Sequence, residues 1–235
     1  MAFHVDENGI LQPLGVTVLR GVEFITNTVD YSESAPGRDG EYDFGCDLGP
    51  KLINIPVAID TTPSTWADKE AEIMGYLNPK LGEQPLTFAN RPGKIYMARY
   101  AGTLGFKDDG RYHREFTLPF KVSRSYGTSS TQSLLEGAGT AVNSGNDVCP
   151  IIVEIVGPVT NPSVTVAGKT MTYTGQVTAS DKLIIDTEKM TATFNGANAL
   201  PNIQGLKPSV MLAVGDNAVT VSGGTVKVIW LNRWI

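Results

Sequence analysis

The C-terminal half of the sequence reads PIIVEIVG (150–157), SVTVAG (163–168), KTMTYTG (169–175), KLIIDTE (182–188), MTATFNG (190–196), VMLAVG (210–215), NAVTVSG (217–223) and VKVIWLN (226–232). These runs are rich in β-branched and aromatic residues, which favour extended backbone, and Gly, Asn and Pro turns separate them. Eight short strands at close intervals are typical of a β-sandwich. Because the runs share no fixed period or motif, neither a solenoid nor a propeller is predicted.

The N-terminal half adds the strand-like stretches VTVLRGVEFI (16–25), KLINIPVAID (51–60), LTFANR (86–91), KIYMARYAGTL (94–104) and YHREFTLPFKV (112–122). The glycines and the proline of APGRDGEYDFG (35–45) favour tight turns, which predicts an exposed loop that leads into a strand. Pro56 has no N–H to donate and therefore indicates an edge strand or a bulge. The Asp109–Gly110 pair predicts a hairpin turn between the last two stretches.

One helix is predicted in the N-terminal half. Thr65 can act as its N-cap with Asp68 at the third helical position, and Pro79 ends it. Its apolar stripe consists of Trp66, Ile73, Met74 and Leu77. The N-terminal domain is therefore predicted to be a β-sheet or sandwich with one packed helix. The whole chain is predicted to be mainly β, of the α+β type.

Residues 125–148 are mostly small polar residues and glycine, with too few apolar side chains to pack alone. This composition predicts a linker or an extended arm. The chain has 235 residues, enough for two domains with cores of their own. We therefore predict an N-terminal domain over 1–124, a linker over 125–148 and a sandwich domain over 149–235.

The formal net charge is −5, and most of the acidic excess lies before Arg124. No Lys/Arg cluster is dense enough to neutralise a duplex, so sequence-specific nucleic-acid binding is not predicted. No apolar run approaches the roughly 18 residues of a membrane span, and MAFHVDENG (1–9) lacks the features of a signal peptide. We expect the protein to be made and kept in the cytosol unless a larger assembly carries it out.

The side chains that commonly carry chemistry form no convincing site. Cys46 and Cys149 lie far apart without a CxxC neighbour, which predicts two thiols and leaves a disulfide open. DGEYDFGCD (39–47) lacks the spacing and the closing Glu of a calcium loop. His4 and His113 have no nucleophile or carboxylate partner in a motif. We therefore predict no catalytic residue, no cofactor and no metal ligand.

Two carboxylate pairs are candidates for a wall-degrading hydrolase, which needs two acids across a cleft. Asp108 and Asp109 lie in the predicted hairpin turn, where Asp-Gly is a backbone choice. Asp181 and Asp186 flank the strand KLIID (182–186), with their carboxylates at opposite ends. Because acids at strand ends usually face solvent, a turn or surface role is favoured for both pairs.

Aromatic residues of the second domain are candidates for a sugar-stacking platform. They are Tyr173, Phe194, Trp230 and Trp234. Core packing is the favoured alternative, because Trp230 lies in the alternating run VKVIW (226–230). Trp234, next to the C-terminal residue, can dock against a neighbouring domain or subunit.

Several motifs of the N-terminal half follow one another in a definite order. PGRDGEYDFG (36–45) is followed by INIPVAID (53–60), by the helix WADKEAEIMGYL (66–77) and by LNPKLGEQPLTFANRPGKIYMARYAG (77–102). This succession resembles the N-terminal domain of siphophage distal tail proteins. The segment from Asn143 through Cys149–Pro150 and IIVEIVG (151–157), LIIDTEKMTATFNG (183–196) and VGDNAVTVSGGTVKVIWLNRWI (214–235) resembles the galectin-like C-terminal sandwich of the same family. Residues 1–19 are less typical of it, and no large insertion interrupts the second domain.

This resemblance implies a structural virion protein without catalytic activity. Distal tail proteins form a hexameric ring that joins the tail tube protein to the tail-tip or baseplate protein, and some also hold receptor-binding proteins. The N-terminal domain closes the ring, and the galectin-like domain points outward. The resemblance therefore implies a protein assembled in the host cytoplasm and located at the distal end of the tail.

Ring or partner contacts are expected in the loop 36–45 and in the strand 94–100, because pairing across subunits would bury exposed sheet edges. The residues predicted for these contacts are Arg38, Asp39, Tyr42, Phe44, Lys94, Tyr96, Arg99 and Trp234. The alternative function is a carbohydrate-binding accessory module of the tail tip, which requires exposed coplanar aromatics. A hydrolase ranks last.

Overall fold

The computed structural model describes residues 2–37, 39–62, 65–102 and 112–235. These residues divide into two compact units, residues 1–127 with Ile235 and residues 128–234. Each unit contains its own cluster of buried apolar side chains. The chain is mainly β, as predicted from its β-branched runs.

The first unit is a closed barrel with one helix. Its elements are β1 (Phe3–Val5), β2 (Ile10–Gln12), β3 (Val16–Val18), β4 (Glu23–Ser34), β5 (Glu41–Asp60), α1 (Trp66–Tyr76), a 3₁₀ turn (Pro79–Leu81), β6 (Gln84–Phe88), β7 (Lys94–Tyr100) and β8 (His113–Val122).

The barrel closes because the strand pairings return to their starting point. β1 pairs with β2, β2 with β3, β3 with β5, β5 with β8, β8 with β7, β7 with β6, and β6 pairs in parallel with β1. Leu11, Ile53, Ile55, Leu86 and Phe120 are among the side chains that fill its interior. A small closed barrel of this kind has a packed core and not a channel.

Two details of this unit correct the sequence-based expectations. The run 16–25 is two strands, because Leu19–Val22 leave the sheet between β3 and β4. Pro56 lies in a strand that is paired on both sides, not in an edge strand. On one side of β5, the pairing with β4 ends at Asn54 and the pairing with β3 begins at Val57. Pro56 lies in the gap between these two pairings, where its missing N–H breaks neither of them.

The helix is where the sequence places it, with one difference in its cap. Thr65 is the N-cap residue, but its hydroxyl makes hydrogen bonds with Thr61 and Thr62 and caps no helical N–H. Trp66, Ile73 and Leu77 pack against the barrel core. Met74 is exposed, so the buried stripe is narrower than predicted.

The second unit is a sandwich of two antiparallel sheets. After β9 (Gly127–Ser129), its strands are β10 (Ser133–Glu136), β11 (Gly139–Asn143), β12 (Ile151–Val156), β13 (Val159–Thr160), β14 (Ser163–Val166), β15 (Lys169–Tyr173), β16 (Gln176–Val177), β17 (Lys182–Asp186), β18 (Thr191–Phe194), β19 (Ala197–Asn198), β20 (Ile203–Gln204), β21 (Gly215–Val221), β22 (Thr225–Trp230) and β23 (Arg233–Trp234).

The first sheet has the strand order β10-β22-β12-β17-β18-β19 and the second β11-β21-β14-β15-β20. VMLAVG (210–215) is the one predicted run that is not a strand. It makes only a bridge between Leu212 and Cys149, although Val210 and Leu212 are buried.

The stretch 125–148, for which the sequence predicts a linker or arm, contains three strands. β10 pairs with β22 and β11 with β21, so both belong to the sandwich. Small residues suit these positions because Ala141 and Asn143 are buried against the core. Asn143 Nδ2 donates to the carbonyl oxygens of Asp147 and Leu212, which ties the following loop to the sheet.

Candidate functional site

A long hairpin leaves the barrel between β4 and β5. The two strands pair from Glu23 opposite Asn54 out to Ser34 opposite Glu41, whereas β8 pairs with β5 only from Lys51 to Asp60. Residues 27–48 therefore form a two-stranded arm without a third strand among the described residues. At the usual rise per residue the arm projects roughly 25 Å.

One face of this arm carries exposed apolar side chains, with the carboxylates of Glu33 and Asp47 beside them. Side chains alternate across a strand, which puts Val29 and Tyr31 of β4 on the same face as Tyr42 and Phe44 of β5. Their exposed fractions are 43% for Val29, 48% for Tyr31, 47% for Tyr42 and 67% for Phe44. The Tyr31 hydroxyl donates to Asp47 Oδ2 at 3.1 Å, and this contact raises the pKa of Tyr31.

The arm also accounts for the net negative charge of the chain. Residues 27–48 contain six carboxylates and one arginine, a net charge of −5, which equals the formal net charge of the whole chain. The remaining residues are therefore balanced. The acidic excess that the sequence shows in its first half is concentrated on one projecting element.

A cluster of cations lies at the end of the barrel where the arm begins. We call it the barrel mouth and define it by Lys51, Arg91 and Lys94 with the rings of Phe24 and Tyr96. Lys51 is only 4% exposed, and its position alternates with Ile53 and Ile55, so its side chain points inward. The Lys51 Nζ is 6.0 Å from the centroid of the Tyr96 ring.

Arg91 lies above the same aromatic side chains. Its guanidinium carbon is 3.6 Å from the centroid of the Phe24 ring, and its Nη1 donates to the Tyr96 hydroxyl at 3.3 Å. Burial lowers the pKa of Lys51, and the positive charges of Arg91 and Lys94 lower it further. A cleft of about 620 Å³ adjoins this cluster, with Phe24, Phe88 and Arg91 in its lining.

The predicted contact residues of the loop 36–45 lie on the arm. Asp39, Tyr42 and Phe44 are all exposed there, and Arg38 lies outside the described residues. The loop prediction was incomplete, because Glu41 to Gly45 already belong to β5 and the turn is confined to the tip.

The predicted contact residues of the strand 94–100 lie on β7. Lys94 and Arg99 are half-buried, whereas Tyr96 is 2% exposed and packs in the barrel core. Tyr96 therefore supports the barrel mouth from inside. Trp234 is half-buried in β23 of the second unit. The sequence alone did not single out Lys51 and Arg91. The available signal was that Lys51 is the one charged residue among the alternate, inward-facing positions Lys51, Ile53, Ile55 and Val57 of β5.

The carboxylates proposed for hydrolysis stabilise turns. Asp181 accepts hydrogen bonds from the backbone N–H and hydroxyl of Thr178 and from the Asn195 amide, and these bonds lower its pKa. Asp186 accepts from the backbone N–H groups of Glu188 and Lys189. Both carboxylates already have local partners, and Asp108 and Asp109 lie outside the described residues.

His113 is held between two carboxylates on the surface of the barrel. Its Nδ1 is 2.7 Å from Asp60 Oδ1 and its Nε2 is 3.1 Å from Glu115 Oε1. These hydrogen bonds raise the pKa of His113. His4 instead bonds the Thr87 hydroxyl across the β1–β6 pair. That hydroxyl also donates to the Phe3 carbonyl oxygen, so it already has a backbone partner.

The aromatic residues of the second unit do not form an exposed platform. Tyr173 and Phe194 stack on each other with centroids 5.8 Å apart and an interplanar angle of 9°. Tyr173 and Trp230 are buried, and the Trp230 Nε1 donates to Asn232 Oδ1. Their faces are consequently used for packing, which disfavours sugar stacking.

Metal-ligating clusters and membrane-spanning helices are both absent from the described residues. Residues 2–37, 39–62, 65–102 and 112–235 contain no group of three His, Cys, Asp or Glu side chains arranged to hold a metal ion. Within the same ranges, no helix is long and apolar enough to cross a bilayer. Cys46 is exposed on the arm, Cys149 is buried, and both are free thiols.

Comparison with known proteins places these two units in one family. Residues 9–122 match the phage tail protein RIFT-related domain, and residues 144–234 match the C-terminal domain of siphovirus-type tail components. The crystal structure of the SPP1 Dit (gp 19.1) protein, described as a hub adsorption apparatus in phages that infect Gram-positive bacteria, has the same fold with a TM-score of 0.77. It is 14% identical and covers 100% of this chain and 98% of its own. The chain belongs to the siphophage distal tail protein family.

More distant similarities add nothing further to this assignment. Chains of the phage P2 baseplate in its activated conformation match at a TM-score of 0.37 with Ca and 0.36 with Sr. They are 8% and 7% identical and cover 91% of this chain and 90% of their own. No curated protein matches the chain. As a distal tail protein, the chain is a structural component of the virion.

Proposed function

We propose that this distal tail protein forms a hexameric ring that joins the tail tube protein to the tail-tip or baseplate protein. The ring serves as the hub for tail-associated proteins and for receptor-binding proteins. In this proposal residues 1–124 close the ring, and residues 149–235 form the outward galectin-like domain. The observation that carries the proposal is the projecting arm with its exposed apolar side chains.

An isolated two-stranded hairpin is marginally stable in water, because it buries little apolar surface. The arm exposes Val29, Tyr31 and Phe44 on one face and the outer edges of both strands. Such exposed strand edges pair readily with another chain. Pairing with a partner subunit would satisfy their backbone hydrogen bonds and protect them from aggregation. A second copy of the chain supplies that cover when the subunits assemble.

The arm and the surface that receives it are different parts of one chain. A contact between different surfaces is heterologous, and it generates a closed ring when the rotation between subunits is an exact fraction of a turn. Six copies are expected from the family resemblance. The contact residues Asp39, Tyr42 and Phe44 then belong to the arm side. Lys94 and Arg99 belong to the receiving side, which the buried Tyr96 supports from inside.

The proposal includes no catalytic role. Its support is that Asp181 and Asp186 already bond their own turns and that His113 lies between carboxylates. The carbohydrate-binding alternative loses support because Tyr173 and Phe194 stack on each other.

The mass of the purified full-length protein in native buffer tests the proposal. We expect six copies in a single species, and we expect labelled antibody to bind the tail end of purified virions. A variant in which Asn-Gly replaces residues 30–46 is the matched control, because the part of β5 that pairs with other barrel strands begins at Lys51. A protein that stays monomeric at all concentrations and is absent from virions would contradict the proposal.

A further inference from the structure

The side chain of Lys51 is buried, and no carboxylate of the described residues pairs with it. Its side chain is 4% exposed, and its Nζ forms no ion pair or hydrogen bond with any described residue. Burying an unpaired ammonium group is costly, since the charge loses its hydration. The positive charges of Arg91 and Lys94 add repulsion to this cost. The unfavourable position of Lys51 in the free subunit points to an anion that binds beside it.

Arg91 makes the same mouth suitable for a carboxylate. Its planar guanidinium is held against Phe24 and by the Tyr96 hydroxyl, which fixes its direction before any partner arrives. Pre-organised guanidinium groups bind carboxylates with two parallel hydrogen bonds. The adjoining cleft of about 620 Å³ is lined by Val22 and Phe88 as well as by Asp6 and Glu7, and it has room for an apolar side chain beside the carboxylate.

We propose that the barrel mouth is the receptor for the acidic arm of a second copy of this chain. Carboxylates of the incoming arm pair with Lys51 and Arg91, and an aromatic residue of the same arm enters the adjoining cleft. This inference rests on the proposed ring and names the surface that closes it. It goes further by making the contact electrostatic and directional.

The charges of the two surfaces support this choice of partner. The arm has a net charge of −5, whereas the rest of the chain is balanced, so the arm is the acidic element that the protein itself provides. Complementary charges steer association and fix the register of an interface. The arm of the same chain cannot reach: Asp47 lies four positions along β5 from Lys51, or about 13 Å, and accepts from Tyr31.

The first test is the variant Lys51→Met, which keeps the length of the side chain and removes its charge. We expect the isolated subunit to become more stable to urea, because a buried unpaired charge is gone. We also expect the protein concentration at half-assembly to rise by on the order of tenfold or more, because the arm loses its partner. Lys80→Met, which removes an exposed cation from the 3₁₀ turn, should change neither quantity.

Mixing two variants tests the direction of the contact. One variant has a neutral mouth, Lys51→Met with Arg91→Met, and the other has a neutral arm, Asp30→Asn with Asp43→Asn and Asp47→Asn. Each alone should stay monomeric. An equimolar mixture should give a heterodimer and no ring, because only one intact arm and one intact mouth meet.

A carbodiimide cross-linker, which joins carboxylates to amines in contact, tests the wild-type protein directly. We expect cross-links between subunits from Lys51 or Lys94 to arm carboxylates, identified by mass spectrometry of mixed ¹⁴N and ¹⁵N protein. If all cross-links between subunits lie elsewhere, or if Lys51→Met assembles like the wild type, the receptor proposal is wrong while the ring proposal stands.

Inorganic phosphate gives a further check. If phosphate stabilises the wild type but not Lys51→Met, and assembly is unaffected, the mouth binds a free anion and the receptor proposal is wrong. A monomer without any such cross-link contradicts the ring itself.

Discussion

Gly145 has no space for a side chain. A Cβ atom at this position would lie 2.1 Å from the carbonyl oxygen of Arg233, so the two backbone segments would have to separate. We expect Gly145→Ala to destabilise the second unit by about 1–3 kcal/mol, the usual cost of overpacking. Urea denaturation measures this loss.

Gly75 is the matched control for that substitution. It lies in α1, where an added Cβ atom would have no neighbour within 4 Å. Gly75→Ala should stabilise the protein by about 0.4–1 kcal/mol, because alanine loses less backbone entropy in a helix. Equal effects of the two substitutions would show that the contact with Arg233 does not restrict position 145.

The two cysteines should differ in reactivity. Burial raises the pKa of Cys149 to about 11, so its thiolate is scarce at pH 8, and its side chain is out of reach of solvent. Cys46 is exposed on the arm. We expect iodoacetamide to modify Cys46 in the native protein and Cys149 only after unfolding, as measured by mass spectrometry. Rapid modification of both thiols in the native state would contradict the burial of Cys149.

The arm is the element whose stability should depend most on assembly. Within the part of the chain that the structure describes, its backbone hydrogen bonds join only β4 and β5, and both faces meet solvent in the isolated subunit. We expect amides of residues 28–34 and 41–48 to exchange with deuterium faster than those of residues 51–60 in the monomer. The ring should slow exchange in the arm selectively. Equal protection of both segments in the monomer would show that the arm is stabilised without a partner.

The sequence predicts most strands of the sandwich because alternating β-branched residues follow both sheets. It fails at VMLAVG (210–215), where burial of Val210 and Leu212 produces the apolar pattern without a strand. It also fails at 125–148, where β10 and β11 are strands despite their polar composition. Edge strands need few apolar residues, so composition alone does not distinguish them from a linker.

Of the candidate site, the turn at the tip of the arm could be predicted from the sequence, whereas the length of the arm and the barrel mouth could not. Glycine and proline in APGRDGEYDFG (35–45) indicated an exposed turn, and the arm carries that turn at its tip. The length of the arm was hidden because an exposed strand with mixed composition has no burial pattern. The barrel mouth was hidden because Lys51 and Arg91 are 40 positions apart, and only barrel closure brings them near the same rings.

The whole chain consists of two units with separate cores, which should unfold as separable transitions. Ile73→Ala removes a fully buried side chain of the first core and should lower the stability of that unit by about 2–5 kcal/mol. Gly145→Ala should lower only the other transition. Differential scanning calorimetry of both variants shows which unfolding transition each substitution shifts. A single peak that both substitutions shift would show that the units unfold cooperatively.

The uneven distribution of charge has a consequence for a bacterium infected by two related phages. If the acidic arm binds the barrel mouth, the distal tail protein of a related phage with a different charge on either surface would bind this protein less well. Hybrid rings would then be rejected during growth, and each virus would build its tail end from its own subunits. A change in the charge of the arm would persist only with a compensating change at positions 51 or 91, so these positions should vary together across lineages.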